Sequence, residues 1–236
     1  MTIAFGFDFD HTLGRDHGLE TIAFYRLAAA VDRPLDQTDS LWAERIAELL
    51  RRFRANSATL EEAVAEFVVA LGVAGETADR QAMRYRDICY SLVDELVTPV
   101  EGARELLTAL AQHGVPHAIL TNGWSPLQYM KIVRALDFDG TILVSDEVGF
   151  AKPDAAAFAK LVDALGVARE CCWYVGDNPK IDVAGAKKAG LHGVWYDARA
   201  ATYPSDATPP DLRITALDEL LALVPGHDAL TEKQRH

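Results

Sequence analysis

What the chain lacks narrows its class first. Cysteine is scarce, with three residues in 236. Cys171 and Cys172 are neighbours, which an ordinary disulfide cannot join, and Cys89 lies far away in sequence. No disulfide framework and no zinc-type spacing is therefore expected. That usage points to a reducing compartment, and the chain is read as cytoplasmic. No apolar run approaches the roughly 20 residues that a membrane span requires. The start, Met1 to Asp8, has no basic region and meets an acid early, so a signal peptide is not expected. Positive charge is the minority sign: Lys+Arg 23 against Asp+Glu 35 leaves a net charge of −12. Such a surface repels nucleic-acid phosphates and anionic lipid, so neither is expected as a partner. The basic cluster Arg51-Arg52-x-Arg54 reads instead as a solvated helix end, where arginines complement the helix dipole.

What is present describes a globular chain, half of it apolar, with residues enough for one large domain or two modest ones. Ile3 to Phe7 is a short apolar run ending on Asp8, as a buried parallel strand would. From about Leu19 to Leu96 the period becomes helical. Trp42, Ile46, Leu49, Leu50 and Phe53 share one face. Leu60, Val64, Phe67, Val68 and Leu71 share another, opened by the capping box Thr59-x-x-Glu62 and closed near Gly72. With helices over Ile22 to Val31 and Tyr85 to Leu96, this block reads as a small helical bundle. After Pro99 helices and strands alternate: Val100 to His113, His117 to Leu120, Pro126 to Leu136, Thr141 to Val144, Asp154 to Leu165, Cys172 to Val175, Ile181 to Ala189 and Gly193 to Tyr196. Alternation of that kind builds βαβ units around a parallel sheet. A surface loop over Ala200 to Pro210 precedes a last helix near Leu217 to Leu223. The fold class is thus α/β, a Rossmann-like parallel-sheet core (residues 1–14 and 99–236) with an inserted α-helical bundle cap (15–98).

Ligands of open parallel sheets bind beyond the carboxyl ends of the strands. The residues found there are Asp8-Phe9-Asp10-His11-Thr12 after the first strand, Thr121-Asn122-Gly123 after the second, and Gly176-Asp177 with Asp182 after the fourth. Lys152-Pro153 precedes the helix that follows the third. Carboxylates gathered at one edge make a hard-oxygen site suited to Mg²⁺. A carboxylate can also attack phosphorus, while a cation, a lysine and backbone N–H groups neutralise the phosphoryl oxygens. The set suits phosphoryl transfer.

Asp8-Phe9-Asp10-His11-Thr12-Leu13 resembles the first motif, DxDx(T/V), of the haloacid dehalogenase (HAD) superfamily. Leu120-Thr121-Asn122-Gly123 resembles the second motif and Lys152-Pro153 the third, while Gly176-Asp177-x4-Asp182 with Gly185-Ala186 resembles the fourth. A helical insertion between motifs one and two is similar to subfamily I. The resemblance implies that Asp8 is nucleophile and metal ligand. It implies that Asp10 is general acid/base, with its backbone carbonyl on the metal. Thr121 and the Asn122 backbone N–H would hold the phosphate, and Lys152 would pair with it and with Asp8. Asp177 would be a metal ligand, and Asp182 would act through a metal-bound water or Lys152. Members that break carbon–halogen bonds or cleave phosphonates lack an aspartate two residues after the nucleophile, and Asp10 is present here. The expectation is a Mg²⁺-dependent phosphatase acting on a small phosphorylated metabolite, as monomer or homodimer, with the cap closing over the site. A phosphomutase of the same family and a non-enzymatic phosphate-responsive regulatory or binding protein are the alternatives. His11 is expected to give a supporting hydrogen bond, Trp124 either to face substrate or to pack, and Cys171-Cys172 to fill the sheet core.

Overall fold

The computed structural model describes residues 3–54, 57–73, 75, 77–224 and 226. Met1, Thr2 and the residues beyond 226, which the sequence reading assigned to the core, lie outside that set. The chain divides into two compact units, Met1–Arg15 with Thr98–His236, and Asp16–Val97. The boundaries read from sequence fall one residue from these.

The first unit is built on a six-stranded parallel sheet. Its strands are β1 (Ala4–Phe7), β4 (His117–Thr121), β5 (Thr141–Val144), β6 (Cys172–Gly176), β7 (His192–Tyr196) and β8 (Leu212–Ile214). A short antiparallel pair, β2 (Gly14–Arg15) and β3 (Thr98–Pro99), stands where the chain leaves this unit and returns to it. The sheet order is β5-β4-β1-β6-β7-β8. After β1 the chain builds outward on one side through β4 and β5, then crosses to the other side for β6. The reversal flanks β1, and this switch point is where an open α/β sheet leaves a crevice at its strand ends.

β1 is fully buried because neighbours cover both its edges and both its faces. Gly6 is needed there: a Cβ would collide with the side chains of Leu161 and Tyr174. The helices of this unit are α5 (Ala103–Gln112), α6 (Leu127–Leu136), the single turn α7 (Ser145–Val148), α8 (Ala155–Leu165) and α9 (Ala184–Lys188). Phe158, Leu161 and Val162 of α8 pack on Ala118, Leu120, Cys172 and Tyr174 of the sheet. Two of the expected helices take another form. The last helix, Leu217–Leu223, is a 3₁₀ helix, and the helix expected from Ile181 opens with a π-helical turn over Pro179–Val183. Cys172 is fully buried in β6, but Cys171 sits half-buried in the 3₁₀ turn before it, so only one of the pair fills the core.

The second unit holds α1 (Leu19–Ala30), α2 (Ser40–Arg54), α3 (Leu60–Ala70) and α4 (Ala78–Leu96). The capping box forms at the start of α3, with Glu62 N–H donating to Thr59 Oγ1 at 3.1 Å and Thr59 N–H to Glu62 Oε2 at 2.8 Å. The Phe24 ring meets Phe67 edge to face at 4.8 Å and lies tilted at 4.6 Å from Tyr85, whose hydroxyl donates to the Glu20 carbonyl. The arginines ending α2 are ion-paired to Glu48, Glu66 and Glu20. No helix among the described residues is long and apolar enough to cross a membrane.

Candidate active site

β1 ends at Phe7, so Asp8 projects from the strand terminus with its side chain nearly closed to solvent. Lys152 Nζ donates to Asp8 Oδ1 at 2.6 Å, and Thr12 Oγ1 donates to Oδ2 at 3.2 Å. Thr12 does double duty, because its hydroxyl also accepts from the Asp177 backbone N–H at 3.1 Å and so ties the ends of β1 and β6 together. Lys152 further donates to Asp182 Oδ1 at 2.7 Å and to the Tyr174 hydroxyl at 2.8 Å. That hydroxyl spends its own proton on the Leu120 carbonyl at 2.7 Å, which leaves a lone pair facing the ammonium. Asp182 approaches closely only because position 176 is glycine; a Cβ there would overlap the Asp182 carboxyl group.

Carboxylate oxygens of Asp8, Asp177 and Asp182 all lie within 4.8 Å of one another. Burial pushes the Asp8 carboxyl up to about 6, against the pull of Lys152. Burial and then the Asp8 charge push Asp177 up to about 6 as well. Burial alone would lower Lys152, yet Asp182 and Asp8 outweigh it and hold the ammonium well above its ordinary range. Three carboxylates face one ammonium, so two negative charges stay unbalanced within the cluster. A hard divalent cation supplies that charge and prefers those oxygens, so the donor set fits one.

Asp10 lies apart from the trio. Its Oδ1 accepts from Lys131 Nζ at 2.5 Å and its Oδ2 from Gln128 Nε2 at 2.8 Å, both donors coming from α6. Gln128 Nε2 also reaches Thr121 Oγ1 at 3.1 Å and the Asn122 carbonyl at 2.8 Å. The Asn122 side chain clasps the Lys152 backbone in both directions, donating to its carbonyl at 2.9 Å and accepting from its N–H at 2.8 Å. The Gly123 turn is pinned by Ser145, whose Oγ lies 3.0 Å from the Gly123 N–H.

The structure thus gathers Asp8, Lys152, Asp177 and Asp182 into one cluster and sets Asp10, Thr121 and Asn122 along its rim. His11 differs from expectation. It is exposed in a left-handed turn (φ 65°), and its ring makes no hydrogen bond among the described residues. Trp124 is buried. Gln128, Lys131 and Tyr174 were missed from sequence. Gln128 and Lys131 stand three residues apart on α6, a spacing that puts them on one helix face but is common on any amphipathic helix.

A doubly wound parallel sheet with a carboxylate–lysine cluster at its switch point defines an α/β protein built for phosphate or metal chemistry at strand ends. More narrowly, the chain belongs to the haloacid dehalogenase-like hydrolases, whose family model matches residues 4–190. It is 40% identical over 120 residues to a phosphoserine phosphatase of Thermus thermophilus, covering 50% of this chain and 48% of that one. It is 30% identical over 208 residues to a phosphoglycolate phosphatase of Pseudomonas putida, covering 85% and 73%. The match spans about half the length of the first of these relatives. Among solved structures, YfnB of Bacillus subtilis, crystallised with magnesium, superposes with a TM-score of 0.71 at 23% identity, covering 95% of this chain and 99% of that one. At that identity the likeness concerns the fold.

Proposed function

We propose that the protein is a Mg²⁺-dependent cytoplasmic phosphatase that hydrolyses a small-molecule phosphate monoester through an aspartyl-phosphate on Asp8. The observation that carries this reading is the placement of Asp8: a buried carboxylate at the end of the central strand, held on both oxygens and converging with Asp177 and Asp182. The names of the Thermus and Pseudomonas relatives support the reaction class.

An Asp8 oxygen attacks phosphorus while the P–O bond to the leaving group breaks. Asp10 gives its proton to the leaving oxygen, so an alcohol departs. Water then attacks the same phosphorus with Asp10 taking a proton, and the acyl–phosphate P–O bond breaks to return the Asp8 carboxylate and inorganic phosphate. Lys152 offsets charge at Asp8 and on the phosphoryl oxygens, while Thr121 and the Asn122 N–H hold the group in line. The cation would be held by Asp8, Asp177 and the Asp10 carbonyl, with Asp182 acting through Lys152 or a water. When bound, it neutralises charge that would otherwise set phosphate against carboxylates.

Asp8→Asn keeps the size of the side chain and removes its nucleophilic charge. The variant is expected to release no measurable phosphate from nitrophenyl phosphate while its circular dichroism matches wild type; a tenth of the wild-type rate would overturn the role of Asp8. Chelation by EDTA is expected to abolish turnover and Mg²⁺ to restore it, with Ca²⁺ inhibiting because it tolerates looser geometry. Product analysis tests the reaction type: inorganic phosphate marks hydrolysis, and an isomeric phosphate ester would mark a mutase.

A further inference from the structure

Two side chains of α6 engage Asp10 in a way the proposed chemistry does not yet use. Lys131 is 2% exposed and Gln128 is 4% exposed, so both donors are enclosed by the fold. Lys131 also lies 5.6 Å above the ring of Phe9, itself fully buried. Gln128 commits its amide nitrogen to Asp10, Thr121 and the Asn122 carbonyl, while its Oε1 is buried with no hydrogen-bond partner. An enclosed ammonium and an amide with an orphaned oxygen are costly to build. Surface ion pairs carry no such cost, so this arrangement is not a solvated accident of α6.

We infer that Lys131, assisted by Gln128, is the positioning residue of the acid/base group: it fixes the direction of the Asp10 carboxylate through both oxygens. This inference rests on the phosphatase reading. Asp10 sits on the loop between β1 and β2, outside regular structure apart from a single bridge to Gly14. A short side chain on a loop would swing without a second anchor, and proton transfer demands hydrogen-bond reach of the leaving oxygen. α6 supplies that anchor from a helix packed against the unit's own core, so the orientation is inherited from a rigid element. Lys131 donates to Asp10 Oδ1, and its effect on the reaction should pass through Asp10.

The test uses the full chain with Mg²⁺ and four single variants, Lys131→Met, Lys131→Arg, Asp10→Ala and Asp10→Asn, together with the double variant Asp10→Ala/Lys131→Met. The rate of phosphorylation of Asp8 is read in rapid-quench experiments with nitrophenyl phosphate and an alkyl phosphate. Lys131→Met is expected to slow the alkyl ester about 10²-fold and the nitrophenyl ester less than about tenfold, since only the alkoxide needs a delivered proton. Lys131→Arg, which keeps a charged donor, is expected to recover most of the loss. The double variant is expected to be no slower than Asp10→Ala within about twofold, the non-additivity of two residues acting as a unit. Independently of turnover, the Lys131 ammonium ¹⁵N–¹H signal should be slowed in exchange and should move in Asp10→Asn. Equal losses on both esters, multiplicative losses in the double variant, or an ammonium signal indifferent to Asp10→Asn would each overturn the proposal. Failure of the phosphatase reading looks different: the wild type itself would turn over neither ester.

Discussion

Asp197, at the end of β7, shows what one enclosed carboxylate contributes away from the site. Its side chain is 2% exposed and accepts from the Ala201 N–H at 2.9 Å and from Arg213 Nη2 at 2.5 Å. Burial alone would raise it, but these donors outweigh burial and hold the carboxyl below its ordinary range. A carboxyl depressed in the folded state stabilises the fold above its unfolded value of about 3.9, and that stability is lost as pH falls through the lower folded value. Asp197→Ala is therefore expected to lower unfolding free energy by about 1.5–3 kcal/mol at pH 7. The gap from wild type should narrow below about pH 4, as urea titrations across that range would register. A gap constant with pH would contradict the role given to the charge. The same contrast explains which site residues were legible in sequence. Asp8 and Asp177 follow strand ends, Thr121 closes β4 and Lys152 stands just before α8, places where hydrophobic pattern and topology converge on function. Lys131 and Gln128 interrupt no pattern, and a single sequence carries no sign that a lysine in mid-helix is enclosed. Tyr174 lies within a strand whose residues all read as core, so its hydroxyl went unassigned.

At the scale of elements, the close approach of α8 to the central strand depends on the missing side chain of Gly6. Gly6→Ala forces Leu161 and Tyr174 aside, and overpacking of that kind costs about 1–3 kcal/mol. Tyr174 also holds Lys152, so the substitution should slow turnover as well as lower the urea midpoint. Loss of stability with unchanged turnover would show that Tyr174 can move without disturbing the lysine. Most elements were legible because their periods are long enough to read: α1 to α4, α8 and five of the six parallel strands follow the hydrophobic rhythm. β8 was not, since Leu212–Ile214 is three residues long and follows a proline-rich loop with no alternation to count. The turn α7 escaped for the same reason. It matters because Ser145 braces the Gly123 turn and Glu147 accepts from the hydroxyls of Ser125 and Tyr129.

For the molecule as a whole, the unbalanced charge of the acidic trio sets a ligand-dependent stability. A cation that binds only the folded chain stabilises it by about 2.7 kcal/mol at a hundredfold excess over Kd. For a chain of this size, each kcal/mol moves Tm by about 2–4 °C, so Mg²⁺ should raise Tm by about 5–10 °C at neutral pH. Asp177→Asn should remove most of that shift while leaving the metal-free Tm unchanged or higher, because one buried like charge is gone. Differential scanning calorimetry with and without Mg²⁺ decides it. An equal shift in the variant would move the cation away from Asp177.

The pairing of β1 has a consequence for how the chain is made. Phe5 pairs with His117 on one side and Trp173 on the other, so β1 precedes its two neighbours by 112 and 168 residues and stays unpaired while those are made. Residues 16–97, by contrast, form a compact unit from one continuous stretch of chain. On the ribosome the helical unit can acquire its core while β1 is still waiting, and the carboxylates of Asp8, Asp177 and Asp182 assemble only after Asp182 has emerged. Asp8, the nucleophile we propose, precedes every other member of its cluster in the chain and is the member that waits longest for its surroundings.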